Sequence, residues 1–237
     1  MATIAVIGHR GARGLCPENT RAGFLRAVEL GCDAVELDVH LTADRVLAVI
    51  HDATLDRTTN GKGPVAARTM AELRRLDAGE GEKVPSLDEL LDLLAPTGIR
   101  IQIELKGPGT EEAAPLLVRK RGIAERVTFT SFHHRRVLVA GRLCPEALRG
   151  ILVSCNPVDP IALLEPAGAR NLHVRHDLID QQLVRLLRQG GKCIVAWGDI
   201  VSEQTVDRLV ELGVDGMGSD RPDIVLERLR ALGRRAG

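Results

Sequence analysis

The chain has 237 residues, with 32 basic and 32 acidic side chains and zero formal net charge. That length suits one large α/β domain or two small ones, and the neutral balance argues against a general nucleic-acid or anionic-membrane surface while leaving room for a local phosphate pocket. With one Trp, three Phe and no Tyr, the core must be Leu, Val, Ile and Ala, and a base-stacking platform is not expected.

In chain order, residues 3–8 read as a short buried strand ending at His9-Arg10-Gly11. After a glycine-rich loop, Pro17-Glu18-Asn19-Thr20 opens a helix with Asn19 or Thr20 as its N-cap. Phe24, Ala27, Val28 and Leu30 form its apolar stripe, and Gly31 stops it. The rest of the chain is organised around the stretch 33–52. Ala34, Glu36, Asp38 and His40 fall on one face of a strand, and Val35, Leu37, Val39 and Leu41 on the other. The flanking helices are amphipathic and need an apolar partner, so the Glu36 and Asp38 face is predicted to turn inward. Two inward carboxylates repel and lose hydration unless a cation lies between them. Taken alone, the stretch also reads as a surface hairpin with its charges in water. The chain then returns through 46–50 and delivers His51-Asp52.

Residues 54–84 are turn-rich, with Asn60-Gly61-Lys62-Gly63-Pro64, a short helix near 70–76, and then Gly79 and Gly81. They read as an insertion without much core of its own. Ser86-Leu87-Asp88-Glu89 is a capping box ahead of a stripe of Leu87, Leu90, Leu91 and Leu94. Over 99–105 the pattern alternates again, Ile99, Ile101, Ile103 and Leu105 facing one way and Arg100, Gln102, Glu104 and Lys106 the other. Strands are predicted at 127–130, 148–153, 172–174, 193–196 and 215–217. Helices are predicted at 111–121, 135–143, 160–165, 181–189 and 204–212, with one more at the end. With the return run left inside the insertion, eight strands each precede a helix. That is the count of an α/β TIM (β/α)8 barrel, one domain over 1–237 with a small insertion at about 42–84 after the second strand. An open doubly wound sheet is the competing arrangement, but Gly8-x-x-Gly11-x-x-Gly14 lacks the G-x-G opening of a dinucleotide loop.

In such a barrel the chemistry sits at the carboxyl ends of the strands. Here those ends carry His9-Arg10, Glu36 and Asp38, Glu104 and Lys106, Ser131-Phe132, Trp197 and Asp220, and the insertion can fold His51 over the mouth. Glu36, Asp38 and Glu104 form a hard oxygen set suited to Mg²⁺ or Ca²⁺ rather than zinc. Arg10 and Lys106 beside a divalent ion can each neutralise a non-bridging phosphate oxygen. His9 and His51 flanking a phosphodiester can supply a base and an acid near neutral pH. The set reads as metal-assisted phosphoryl transfer on a diester. His133 and His134 read as helix-start or surface residues, His173 and His176 lie within reach of the mouth, and His40 is left without a role.

His9-Arg10-Gly11, Pro17-Glu18-Asn19-Thr20, Glu36-Leu37-Asp38-Val39, Thr42-x-Asp44, His51-Asp52, Arg57-Thr58-Thr59-x-Gly61, Glu104-x-Lys106, Ser131-Phe132, Trp197 and Gly213-Val214-Asp215-Gly216 succeed one another over nearly the whole chain. In this order they resemble the glycerophosphodiester phosphodiesterase family. The resemblance implies hydrolysis of a small-molecule glycerophosphodiester to glycerol 3-phosphate and an alcohol, on a TIM barrel with a small insertion after the second strand. It implies metal binding by Glu36, Asp38 and Glu104, acid/base roles for His9 and His51, and substrate contacts from Arg10, Lys106 and Trp197. It also implies attack on phosphorus by the neighbouring glycerol hydroxyl, through a cyclic phosphate. Asp44-Arg45 stands where the family commonly has Asp-Gly, Gly198-Asp199-Ile200 replaces Thr-x-Asn after Trp197, and Ser219-Asp220 replaces Thr-Asp. The catalytic positions survive; the alcohol-side wall differs.

Two other readings keep the barrel. A lysophospholipid-cleaving phosphodiesterase needs an apolar entrance, whereas 58–84 is polar and glycine-rich; a silent phosphate- or polyol-binding barrel has no use for both histidines and all three carboxylates. Cys16, Cys32, Cys144, Cys155 and Cys193 are scattered without a C-x-x-C pair, as suits reduced thiols in a cytoplasmic protein. No leader pattern or 18-residue apolar run appears, so stable membrane anchoring is not expected.

Overall fold

The computed structural model describes residues 3–235. The chain opens with β1 (Ala5–Gly8), α1 (Arg21–Leu30), β2 (Ala34–Leu41) and β3 (Leu47–Val49), then α2 (Met70–Leu73), α3 (Leu87–Leu94) and β4 (Arg100–Leu105). Alternation continues through α4 (Thr110–Lys120), β5 (Val127–Ser131), α5 (His134–Leu143), β6 (Leu148–Val153), α6 (Pro160–Leu164) and β7 (Asn171–Arg175). It ends with α7 (Gln181–Gln189), β8 (Cys193–Trp197), α8 (Glu203–Leu212), β9 (Gly216–Ser219) and α9 (Pro222–Ala231). β1 pairs in parallel with both β2 and β9, so the eight parallel strands close into the expected TIM barrel.

Strand periodicity sorts the side chains as predicted. Val35, Leu37 and Val39 of β2, with Ile101, Ile103 and Leu105 of β4, are buried in the main core that includes helix residues such as Phe24, Leu90 and Val118. Their neighbours point into the barrel, and the β2–β4 register sets Glu36 beside Gln102 and Asp38 beside Glu104. Local signals hold the helices. Thr20, not Asn19, caps α1 by accepting from the Gly23 amide, which frees Asn19 for another partner. Ser86 and Glu89 make both bonds of a capping box, together worth about 1 kcal/mol. Gly8 and Gly11 allow α1 to approach the first loop. A Cβ on Gly8 would meet the Gly11 carbonyl oxygen, and Gly11 has φ +85° with the Gly23 carbonyl carbon 2.6 Å from its would-be Cβ.

The insertion begins as a continuation of β2. β1 reaches only to the Gly8–Val35 pair, and past that point the antiparallel β3 pairs Val49, Ala48 and Leu47 with Val39, His40 and Leu41. The sequence reading of little internal core needs correction here. Ala48, Ile50, Leu55, Val65, Met70, Leu73 and Val84 form a buried cluster of their own. They come from separate turns with no shared period, which is why no stripe announces them. The helix inside the insertion is also shorter than expected, and β9 runs Gly216–Ser219 where the pattern predicts 215–217. All five cysteines are free thiols. No described helix is long and apolar enough to cross a membrane.

Arg45 sits at φ 58° in the Thr42–Val46 turn. A non-glycine residue in the left-handed region costs on the order of 1–2 kcal/mol, partly offset by glycine's greater freedom in the unfolded chain. Arg45→Gly should therefore raise stability by up to about 1 kcal/mol. In urea denaturation this appears as a higher midpoint with an unchanged slope.

Candidate active site

Neighbouring strands bring Glu36, Asp38 and Glu104 together at the carboxyl end of the barrel. All three are buried, and one carboxylate oxygen from each lies within 4.8 Å of the others. The Arg10 amide donates to Glu36 Oε2 at 3.0 Å. Asn19 Nδ2 donates to Asp38 Oδ2 at 2.9 Å, with Arg10 Nε 3.4 Å from the same oxygen. Lys106 Nζ lies 3.1 Å from Glu104 Oε1 and 3.8 Å from Asp38 Oδ1. Arg10 (φ 50°) and Asn19 (φ 57°) both hold left-handed backbone, a local strain that the surrounding contacts sustain.

Three carboxylates face two cations, and their titration reflects the imbalance. Burial, then Asp38 and Glu104, pushes the Glu36 carboxyl well above the usual range. Burial and Asp38 raise Glu104 to about 7 against the pull of Lys106. Burial also opposes ionisation of Asp38, but Arg10 and Lys106 outweigh it and hold its carboxyl low. Asp38 Oδ1 is buried without a hydrogen-bond partner. An orphaned oxygen inside a hard, excess-anionic donor set is what a divalent cation would satisfy, and a thiol-seeking metal would find no ligand there.

Both histidines carry an aspartate on Nδ1. His9 Nδ1 is 2.6 Å from Asp220 Oδ1, and its Nε2 looks toward the cluster, 3.9 Å from Glu36 Oε2. His51 Nδ1 is 2.6 Å from Asp52 Oδ1, and its Nε2 is 2.9 Å from Lys106 Nζ. An ammonium can only donate, so this geometry assigns His51 the tautomer with its proton on Nδ1 and a lone pair on Nε2. Burial lowers the His51 pKa, and Arg10 and Lys106 add to the effect, against Asp38 and Asp52. The residue is neutral at neutral pH. His40, without a role in the sequence reading, places its Nε2 3.0 Å from the His51 carbonyl oxygen and so steadies the backbone there.

A cavity of about 560 Å³ opens over this group. Seven of the eight predicted site residues line it: His9, Arg10, Glu36, His51, Glu104, Lys106 and Trp197. Asp38 lies beneath them, 1 % exposed. On the outer side Phe132 and Trp197 meet edge to face, ring centres 5.5 Å apart. His173 and His176 also line the cavity, whereas Cys16 and Cys155 do not. His133 stands at the start of α5 without a side-chain capping bond, and His134 Nε2 sits 3.1 Å from the Leu152 carbonyl oxygen. The sequence pattern does not single out Asp52 or Asn19 as partners of the site, and it marks Asp220 only by its strand-end position. The adjacency of Asp52 to His51 was a usable signal; the 211-residue separation of His9 and Asp220 offered none.

Residues 9–224 match the family model described as the glycerophosphoryl diester phosphodiesterase family. The chain belongs to that family. It is accordingly a phosphoric diester hydrolase. A glycerophosphodiester phosphodiesterase of Caldanaerobacter subterraneus subsp. tengcongensis is 36% identical over 237 residues, covering 95% of this chain and 97% of the relative. One from Bacillus altitudinis is 34% identical over 92% of this chain and 95% of its own length. The phosphodiesterase of Oleispira antarctica, solved with the product sn-glycerol-3-phosphate, superposes with a TM-score of 0.90 at 31% identity, over 96% of this chain and 97% of that one.

His173 is expected to make the stability of this phosphodiesterase sensitive to acid. Its Nε2 has no hydrogen-bond partner, and burial alone lowers its pKa to about 4. The unfolded chain binds this proton near pH 6.5 and the native state only near 4, so stability falls as pH drops through that window. Replacing it by leucine should remove that part of the pH dependence. The stability of the wild type relative to His173→Leu should fall by on the order of 3 kcal/mol between pH 6.5 and 4, measured by urea denaturation at each pH.

Proposed function

We propose that the chain hydrolyses glycerophosphodiesters to glycerol 3-phosphate and an alcohol, with a divalent metal, Mg²⁺ or Ca²⁺, held by Glu36, Asp38 and Glu104. The observation that carries the reading is the pair of histidines, each oriented by an aspartate on Nδ1, with Nε2 of His9 turned toward Glu36 and Nε2 of His51 turned toward Lys106 at the edge of the carboxylate cluster. The glycerol 3-phosphate bound to the Oleispira antarctica relative supports the glycerophosphate half. The reading treats 1–237 as a single domain with the insertion at about 42–84. It also places the enzyme in the reducing cytoplasm, in keeping with five free thiols.

When bound, the metal supplies positive charge to the phosphoryl oxygens. Arg10 and Lys106 hold the non-bridging oxygens beside it. His51 is neutral, and once Lys106 turns its ammonium from Nε2 to the phosphate, that nitrogen takes the proton of the glycerol hydroxyl next to the ester as the hydroxyl oxygen attacks phosphorus. The phosphorus–oxygen bond to the alcohol breaks, and His9, oriented by Asp220 on Nδ1, gives a proton to the departing oxygen. The product of this step is a cyclic glycerol phosphate. In the second step His9 takes a proton from water, the water oxygen attacks phosphorus, the ring bond breaks and His51 protonates the freed hydroxyl. An internal nucleophile needs little positioning because its effective molarity is high. Trp197 and Phe132 wall the side on which the alcohol leaves.

Chelation should abolish turnover, and Mg²⁺ or Ca²⁺ should restore it; Glu36→Gln should weaken metal binding, read by calorimetry, before it disturbs folding. Full turnover in protein shown by elemental analysis to be metal-free would overturn the metal assignment. His9→Ala and His51→Ala should each cost on the order of 10²–10⁴ in turnover, and the double variant less than their product because the two act as a unit. A substrate lacking the neighbouring hydroxyl should resist cleavage; cleavage at the parent's rate would mean that water attacks directly.

A further inference from the structure

Glu18, in the loop after β1, touches none of the reacting groups, yet three arginines surround it. Arg10 Nη1 donates to its Oε1 at 2.8 Å, and Arg57 donates to both oxygens at 2.8 Å. Arg13 Nη1 stands 3.9 Å from Oε2. Burial opposes ionisation of Glu18, but hydrogen bonds from Arg57 and Arg10 outweigh it and hold its pKa at about 2. Two of these arginines lead to the two histidines. Arg57 forks onto Asp52 through Nε at 2.7 Å and Nη2 at 3.0 Å, and Asp52 holds His51. Arg13 Nε lies 2.7 Å from Asp220 Oδ2, and Asp220 holds His9.

We infer that Glu18 is a positioning residue that joins the supports of both histidines into one ionic frame. It fixes the insertion segment carrying His51 against the loop carrying His9. The inference rests on the acid/base reading of those two residues. His51 and His9 belong to different segments of chain, and their mutual placement must hold to within about half an ångström for proton transfer. The planar Arg57 fork bridges two carboxylates, Glu18 and Asp52, and so fixes direction as well as distance. Arg57 is itself nearly half exposed, so the pairs it makes contribute little to global stability. The expected signature of Glu18 is therefore a loss of turnover out of proportion to any loss of stability.

Steady-state release of glycerol 3-phosphate from glycerophosphocholine, with Mg²⁺ present, tests this. Glu18→Gln should lower kcat on the order of 10²-fold, with KM changed by less than about threefold and the protein still fully folded at the assay temperature by circular dichroism. Arg57→Lys should lose as much as Arg57→Met, because an ammonium cannot bridge two carboxylates in a fixed plane. In the Arg57→Met background, Glu18→Gln should cost less than about a further threefold. A raised KM at unchanged kcat would overturn the inference, leaving Glu18 as a partner of Arg10 alone. Full multiplicativity with Arg57→Met, or wild-type kcat in Arg57→Lys, would also overturn it; the latter decides the matter even if Glu18→Gln does not fold. His9→Ala and His51→Ala run alongside. If both keep wild-type turnover, the acid/base reading falls and this inference with it; if they lose turnover while Glu18→Gln keeps it, only this inference falls.

Discussion

The mutual repulsion of three buried carboxylates is the constraint on which the rest of this structure depends. Parallel pairing of β2 with β4 places Asp38 against Glu104, with Glu36 one pleat below Asp38 on the same inward face. Such a group cannot stay ionised in a barrel interior without compensation. Each nearby feature answers that demand in part. Arg10 adopts strained backbone to bring its amide to Glu36 and its side chain to Asp38, Asn19 does the same for a hydrogen bond to Asp38, and Lys106 extends from the end of β4. The remaining deficit of positive charge is one that a divalent cation would supply.

Much of this was legible in the sequence, because strands reveal their faces with a period of two. The alternations at 33–41 and 99–105 located both the apolar outer faces and the inward acids, and strand ends located His9, Lys106 and Trp197. The capping box at Ser86 and the helix start at Thr20 were visible as local chemistry. What escaped was either long in range or without period. Arg57 reaches Glu18 across 39 residues, and no local pattern anticipates such a bridge. The insertion's core draws Leu55, Val65, Met70 and Val84 from different turns, so composition suggested a loop where packing made a small unit.

The barrel interior departs from the usual filling by branched apolar layers. Ile7, Ala34 and Val195 form only a small apolar cluster, while Gln102 and His173 occupy the same depth. Neutral polar groups below the acids keep the local environment from becoming wholly apolar. They also leave His173 as a buried base without a partner, the source of its depressed affinity for protons.

The closure of β1 onto β9 has a consequence for biosynthesis. By residue 106 a growing chain already contains every carboxylate of the cluster together with His9, Arg10, His51 and Lys106. It lacks Asp220, which holds His9, and it lacks the strand that completes the ring around β1. The two proposed acid/base residues thus differ in where their supports lie: His51 has its aspartate as a sequence neighbour, whereas the aspartate of His9 comes only with the last strand. The segment that seals the barrel also carries the partner of His9, so a chain cut before it would hold most of the proposed catalytic groups without the support of His9.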